Sequence, residues 1–145
     1  MTIRQFIMPS ALGLLGLLAL AGCSSAKPEA SVLATGVDLF HRASNEQRPS
    51  RADALRTIEC HDAEVCAAKA SCVEATAATA AALRLKQEAE AVLAAVEART
   101  TSPDDPAVKA LPGKLERAST LLTQGHDAMP ACDKKILILR ERYGL

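Results

Sequence analysis

LPGKLERASTLLTQGHDAMPACDKKILILRERY, from Leu111 to Tyr143, is the stretch that decides the fold. Leu111, Leu115, Ala118, Leu122, Gly125, Met129, Cys132, Ile136, Leu139 and Tyr143 recur at strictly alternating steps of four and three. That period belongs to a helix with one apolar seam, sustained here over more than four heptads. Pro112-Gly113 predicts a loose start. Pro130 lies off the seam, and the register resumes beyond it, so it predicts a kink and not an end. Ile136-Leu137-Ile138-Leu139 would suit a strand in isolation, but the surrounding period assigns it to the helix.

A second helical pattern precedes this one. Leu55, Ile58, Val65, Ala68, Cys72, Ala75, Ala78, Ala82, Leu85, Ala89, Val92 and Val96 form one stripe. Alanine supplies 15 of the 36 residues from Ala63 to Ala98. Alanine is the best helix former but buries little area, which predicts long helices and a thin core. Thr100 to Pro106 is dense in breakers. Ser102 or Asp105 is placed to cap the next helix, with Pro103 or Pro106 in its first turn. Two long helices joined by a short break predict an antiparallel hairpin. Upstream, Val32 to Ala43 predicts a third, short helix with Val32, Gly36, Leu39 and Ala43 on one face. Asn45 to Ser50 breaks it, and Ser50 with Asp53 resembles a capping-box start. The expected fold class is therefore all-α: a long antiparallel hairpin with a short N-terminal helix.

Cys60, Cys66, Cys72 and Cys132 read as two disulfides that staple this fold. The sequence midpoint of Cys72 and Cys132 is Ser102, inside the predicted turn, and both cysteines lie on their stripes. That favours a Cys72–Cys132 bridge and leaves Cys60 with Cys66. In an unbroken helix the latter pair would sit about 9 Å apart along the axis, beyond the roughly 7 Å a disulfide allows. A Cys60–Cys66 bridge thus requires a break near His61-Asp62, with Asp62 as the N-cap. Cys60–Cys72 with Cys66–Cys132 stays open; Cys60–Cys132 with Cys66–Cys72 is the least suitable pairing. A zinc reading of Cys60, His61, Cys66 and Cys72 has no supporting spacing.

The N-terminus carries a different signal. One cation, Arg4, precedes the apolar run Ala11 to Leu20, which is followed by small residues and Cys23. This is the layout of a secretory signal, and it is too short for a transmembrane helix of about 20 residues. Leu20-Ala21-Gly22-Cys23 resembles the lipobox of bacterial lipoproteins. The resemblance implies cleavage before Cys23, lipid attachment to Cys23 and acylation of its new amine. Dual acylation anchors stably. Ser24, where lipoproteins retained in the inner membrane often have Asp, implies the outer membrane, facing the periplasm. The expected organisation is a signal peptide over 1–22, lipidated Cys23 with a flexible tether over 23–31, and one helical domain over 32–145.

Composition excludes several functions. Lys plus Arg and Asp plus Glu number 17 each, so there is no electrostatic case for nucleic acid. Past Cys23 only Phe40 and Tyr143 are aromatic, too few to stack bases or sugars. His41, His61 and His126 fall in separate segments, and no hydrolase, P-loop or dinucleotide motif occurs. No cofactor or metal is implied. Asp104-Asp105 reads as helix-start capping, and Lys134, Lys135, Arg140 and Arg142 as complements to a helix C-terminus. The expected role is a non-enzymatic structural or protein-interaction module in the cell envelope. Its partner is an envelope protein or a second copy. The alternative is a periplasmic metal- or redox-responsive binding module built on Cys60, His61 and Cys66.

Overall fold

A computed structural model describes residues 26–145 of the chain. The signal segment, Cys23 and the first part of the expected tether lie outside the described residues. Among those residues the fold is all-α, with five helices: α1 (Ala26–Arg42), α2 (Arg48–Thr57), α3 (Ala63–Glu97), α4 (Pro106–Lys109) and α5 (Leu111–Tyr143). Both expected long helices are present as α3 and α5.

The pairing of α3 with α5 can be followed along both helices. Glu64 meets Arg142, Ser71 meets Lys135, and Cys72 is bonded to Cys132. Further along, Gly125 lies against Ala75 and Thr79, and Glu88 pairs with Lys114. Every seventh residue of α5, namely Leu111, Ala118, Gly125, Cys132 and Leu139, is buried. The seam's other row divides. Met129 and Tyr143 pack against the core and Ile136 is within it, whereas Leu115 and Leu122 are 48% and 45% exposed. α5 runs through Pro130 without ending and closes at Gly144, whose φ of 63° is left-handed. The expected loose start at Pro112-Gly113 is corrected: both residues are helical, because proline in a first turn forfeits no helical hydrogen bond.

The buried face of α3 is wider than the predicted stripe. Thr76, Ala80 and Leu83 are buried in addition to Val65, Ala68, Cys72, Ala75, Ala82 and Ala89. Ala78, Leu85, Val92 and Val96 are only half-buried. α3 packs on α2 as well as on α5, so one stripe cannot serve both neighbours. Thr76 is tolerated inside because its hydroxyl donates to the Cys72 carbonyl at 2.7 Å.

The N-terminal helices differ from expectation in three respects. α1 begins at Ala26 and buries Ala26 and Ala30, so residues 26–31 of the expected flexible tether are ordered helix. Ala, Lys and Glu favour that conformation, and Pro28 lies in the first turn, where proline is tolerated. The core face of α1 is Ala30, Leu33, Ala34, Val37 and Phe40, not the face bearing Val32 and Leu39, which are 56% and 43% exposed. The larger side chains of Leu33, Val37 and Phe40 offer more area, each worth about 1.5–3 kcal/mol on full burial. Finally, α2 starts two residues before the predicted cap. Gln47 is its N-cap, and Ser50 instead donates to the Gln47 carbonyl at 2.8 Å. Asp53 turns away from the helix start and pairs with Arg84 of α3 at 2.6 Å.

Candidate functional site

The chemistry of the described residues gathers where α2 gives way to α3. The chain leaves helix after Thr57 and re-enters at Ala63. Asp62 makes the re-entry: its backbone is extended, and its carboxylate accepts from the N–H groups of Glu64 and Val65 at 2.9 and 3.0 Å. Two of the orphan donors of a helix start are thereby satisfied. This break brings Cys60 and Cys66 to a Cα separation of 5.4 Å, and the two form a disulfide. Cys72 and Cys132 form the second, at a Cα separation of 4.6 Å. The favoured pairing is the observed one. Both sulfurs of the Cys60/His61/Cys66 cluster are thus bonded to each other.

Glu29 of α1 clamps the same turn. Its carboxylate accepts from the His61 and Asp62 backbone N–H groups at 2.8 and 3.2 Å, and contacts His61 Nδ1 at 3.0 Å. The His61 N–H bond chiefly holds the Glu29 carboxyl below its ordinary value, against an opposing push from burial; the Asp62 N–H and the His61 ring add to the lowering. The Glu29 side chain is 13% exposed and that of His61 74%. Lys69 completes the turn by donating to the Ile58 carbonyl. Sequence spacing could not reveal Glu29, which lies 32 residues from His61 and on another helix.

His41 and His126 border one groove. With Arg48, Thr79, Phe40, Leu122, Gly125 and Met129 they line its volume of about 230 Å³. His41 Nε2 is 3.0 Å from Asp133 Oδ1, and the Arg48 guanidinium lies over the Phe40 ring at 5.9 Å. The fixed charge of Arg48 opposes a cation there. Among the described residues no three His, Cys, Asp or Glu side chains are grouped to hold a metal ion. A second groove, of about 310 Å³, separates α1 from α2 and is lined by Val32, Gly36, Leu39, Ala54, Leu55 and Ile58 among others. The exposed face of α1 borders it.

Three of the four basic residues near the end of α5 are engaged between helices. Arg140 holds Asp38 of α1 through contacts of 2.8 and 2.7 Å, Arg142 holds Glu64, and Lys135 donates to Ser71 and to the Ala67 carbonyl. They tie α5 to α1 and α3, a role that goes beyond the helix-dipole complement expected from sequence. Asp105 caps α4 by accepting from the Ala107 N–H at 2.8 Å. No described helix is long and apolar enough to cross a membrane. No protein-family model, curated protein or solved structure matches the chain.

Proposed function

We propose that the chain is a lipoprotein anchored through Cys23 to the periplasmic face of the outer membrane. In this reading its helical domain is a non-enzymatic protein-interaction module. α3 and α5 form an antiparallel hairpin, and α1 with α2 cover one end of it. The observation that carries the interaction role is the divided heptad row of α5. Met129, Ile136 and Tyr143 are covered by the protein's own core, while Leu115 and Leu122 of the same row are about half exposed. Leu93 of α3 is 47% exposed as well. A partner helix extending the row would bury these leucines as α1 and the core bury the others.

The anchor rests on the lipobox resemblance. Ala26 of α1 lies three residues past Cys23, and three residues span at most about 10 Å. A lipid on Cys23 would therefore hold the domain close to the bilayer surface. Photo-crosslinking residues placed at Leu115 and Leu122 in intact cells test the docking role, with Arg56 as the control position. A defined adduct at both leucines and none at Arg56 is expected. Equal labelling at all three positions would sink the docking surface. Mass analysis of the purified N-terminus tests the anchor separately: a diacylglyceryl Cys23 supports it, and an unmodified Met1 or a free Cys23 thiol refutes it.

A further inference from the structure

The two disulfides stand in different surroundings. Cys72 and Cys132 are both 0% exposed, inside the contact of α3 with α5. Cys60 and Cys66 are half-buried, and Cys60 adjoins the exposed His61 in the link between α2 and α3. The bridges also close very different loops, with sequence separations of 6 and 60 residues. Disulfide stability in the chain-entropy account rises with loop length, and exchange requires access to sulfur. Burial and loop length both therefore assign reactivity to the same bridge.

We propose that Cys60–Cys66 is an exchangeable redox latch on the α1–α2 layer, acted on by a dithiol, whereas Cys72–Cys132 is a permanent structural bond. A thiolate of the dithiol attacks Cys60 Sγ. The S–S bond breaks, and Cys66 Sγ leaves with its electron pair. Cys66 is the better leaving group because it lies in the first turn of α3, where the helix end favours negative charge. Two nearby carboxylates are already engaged, Asp62 by the Glu64 and Val65 N–H groups and Glu64 by Arg142. The second thiol of the dithiol then displaces Cys60 from the mixed disulfide. Two electrons and two protons pass to the protein, which gains two thiols, and the reagent leaves as a disulfide.

Opening the latch changes how the layers are coupled. The Ile58–Asp62 link is held by the Cys60–Cys66 bond, by Glu29 from α1 and by Lys69 from α3. Without the bond, hydrogen bonds, the His61 contact and the packing of Ile58 against the core remain. The α1–α2 layer then loosens while Cys72–Cys132 still fixes α3 to α5. This inference does not depend on lipidation.

The test uses the native chain, titrated with dithiothreitol without denaturant, quenched in acid, alkylated and mapped by mass spectrometry. Cys60 and Cys66 should be labelled at a reductant concentration at least tenfold below that needed for Cys72 and Cys132. Hydrogen exchange should quicken in α1, α2 and residues 58–62, with helical circular dichroism retained. Simultaneous labelling of all four cysteines would overturn the proposal. So would a Cys60–Cys66 bond that persists until the helical signal is lost. Unchanged exchange in α1 and α2 after selective reduction would overturn the latch. As a chemical check, Cys66→Ser treated with oxidised glutathione should capture glutathione at Cys60; no adduct in the folded variant would rule out Cys60 as the attacked sulfur.

Discussion

At Gly125 the backbone of α5 lies close against α3. A Cβ built there would lie 2.3 Å from Thr79 Oγ1 and 3.0 Å from both the Ala75 carbonyl oxygen and the Thr79 nitrogen. Two of those atoms are backbone and cannot step aside. Gly125→Ala should therefore destabilise by about 3 kcal/mol despite alanine's better helix propensity. Gly36 makes a useful contrast. Its added Cβ would meet only the side-chain tips of Leu55 and Ile58, at 2.8 and 3.1 Å. Gly36→Ala should stay within about 1 kcal/mol of the parent. Urea denaturation of both variants checks the difference, and equal losses would refute it. The sequence showed Gly125 on the seam but not the depth of the contact, because the approach depends on Thr79 of the other helix. The breakers from Thr100 to Pro106 place the end of α3 near Arg99, but not the left-handed φ of 58° that Arg99 adopts just past the helix, a conformation usually given to glycine.

Among the elements, α3 and α5 were legible because each repeats its pattern over many turns. The break between α2 and α3 was legible only through covalent geometry. Cys60 and Cys66 cannot bond across a continuous helix, and Asp62 was the residue able to restart one. The face of α1 was not legible. Its apolar residues occupy two faces, Leu33, Val37 and Phe40 on one, Val32 and Leu39 on the other, and only the neighbours decide which is buried. The Glu29 clamp belongs to this scale because it joins α1 to the start of α3. Its carboxyl is held below the ordinary value of 4.5 in the folded protein. The clamp therefore stabilises fully above the unfolded value and is lost as pH falls through the folded one. Glu29→Gln should flatten the acid side of the stability–pH profile and leave its alkaline side parallel to the parent's. Thermal melts across pH 3–8, roughly the span of carboxylate and histidine titration, provide the measurement; an unchanged acid slope would refute the clamp.

For the whole molecule, thin alanine packing makes the Cys72–Cys132 bond the principal staple. Its sequence separation of 60 residues gives about 4 kcal/mol in the chain-entropy account. The double variant Cys72→Ser/Cys132→Ser should lose an amount of that order in urea, and a loss below about 1 kcal/mol would show that packing alone suffices. The candidate site was only partly legible. Cys60, His61, Asp62 and Cys66 are close in sequence and stood out there; Glu29, Lys69 and Arg142 come from three helices and could be placed there only by the fold. The uncovered stretch along Leu115 and Leu122 was hidden for the same reason, since a uniform seam does not say how far its cover extends.

The Cys72–Cys132 bond also decides how the molecule would carry a mechanical pull. Tension between Ala26 and Leu145 travels along α1, α2 and the first turns of α3, crosses the sulfur bridge and leaves through the end of α5. The residues between the two cysteines form a closed covalent ring outside that path. Such a pull would strain the Cys60–Cys66 turn, while Leu93, Leu115 and Leu122 kept their mutual arrangement inside the ring. A single cut at Arg99 would likewise leave the molecule in one piece until the bridge was reduced.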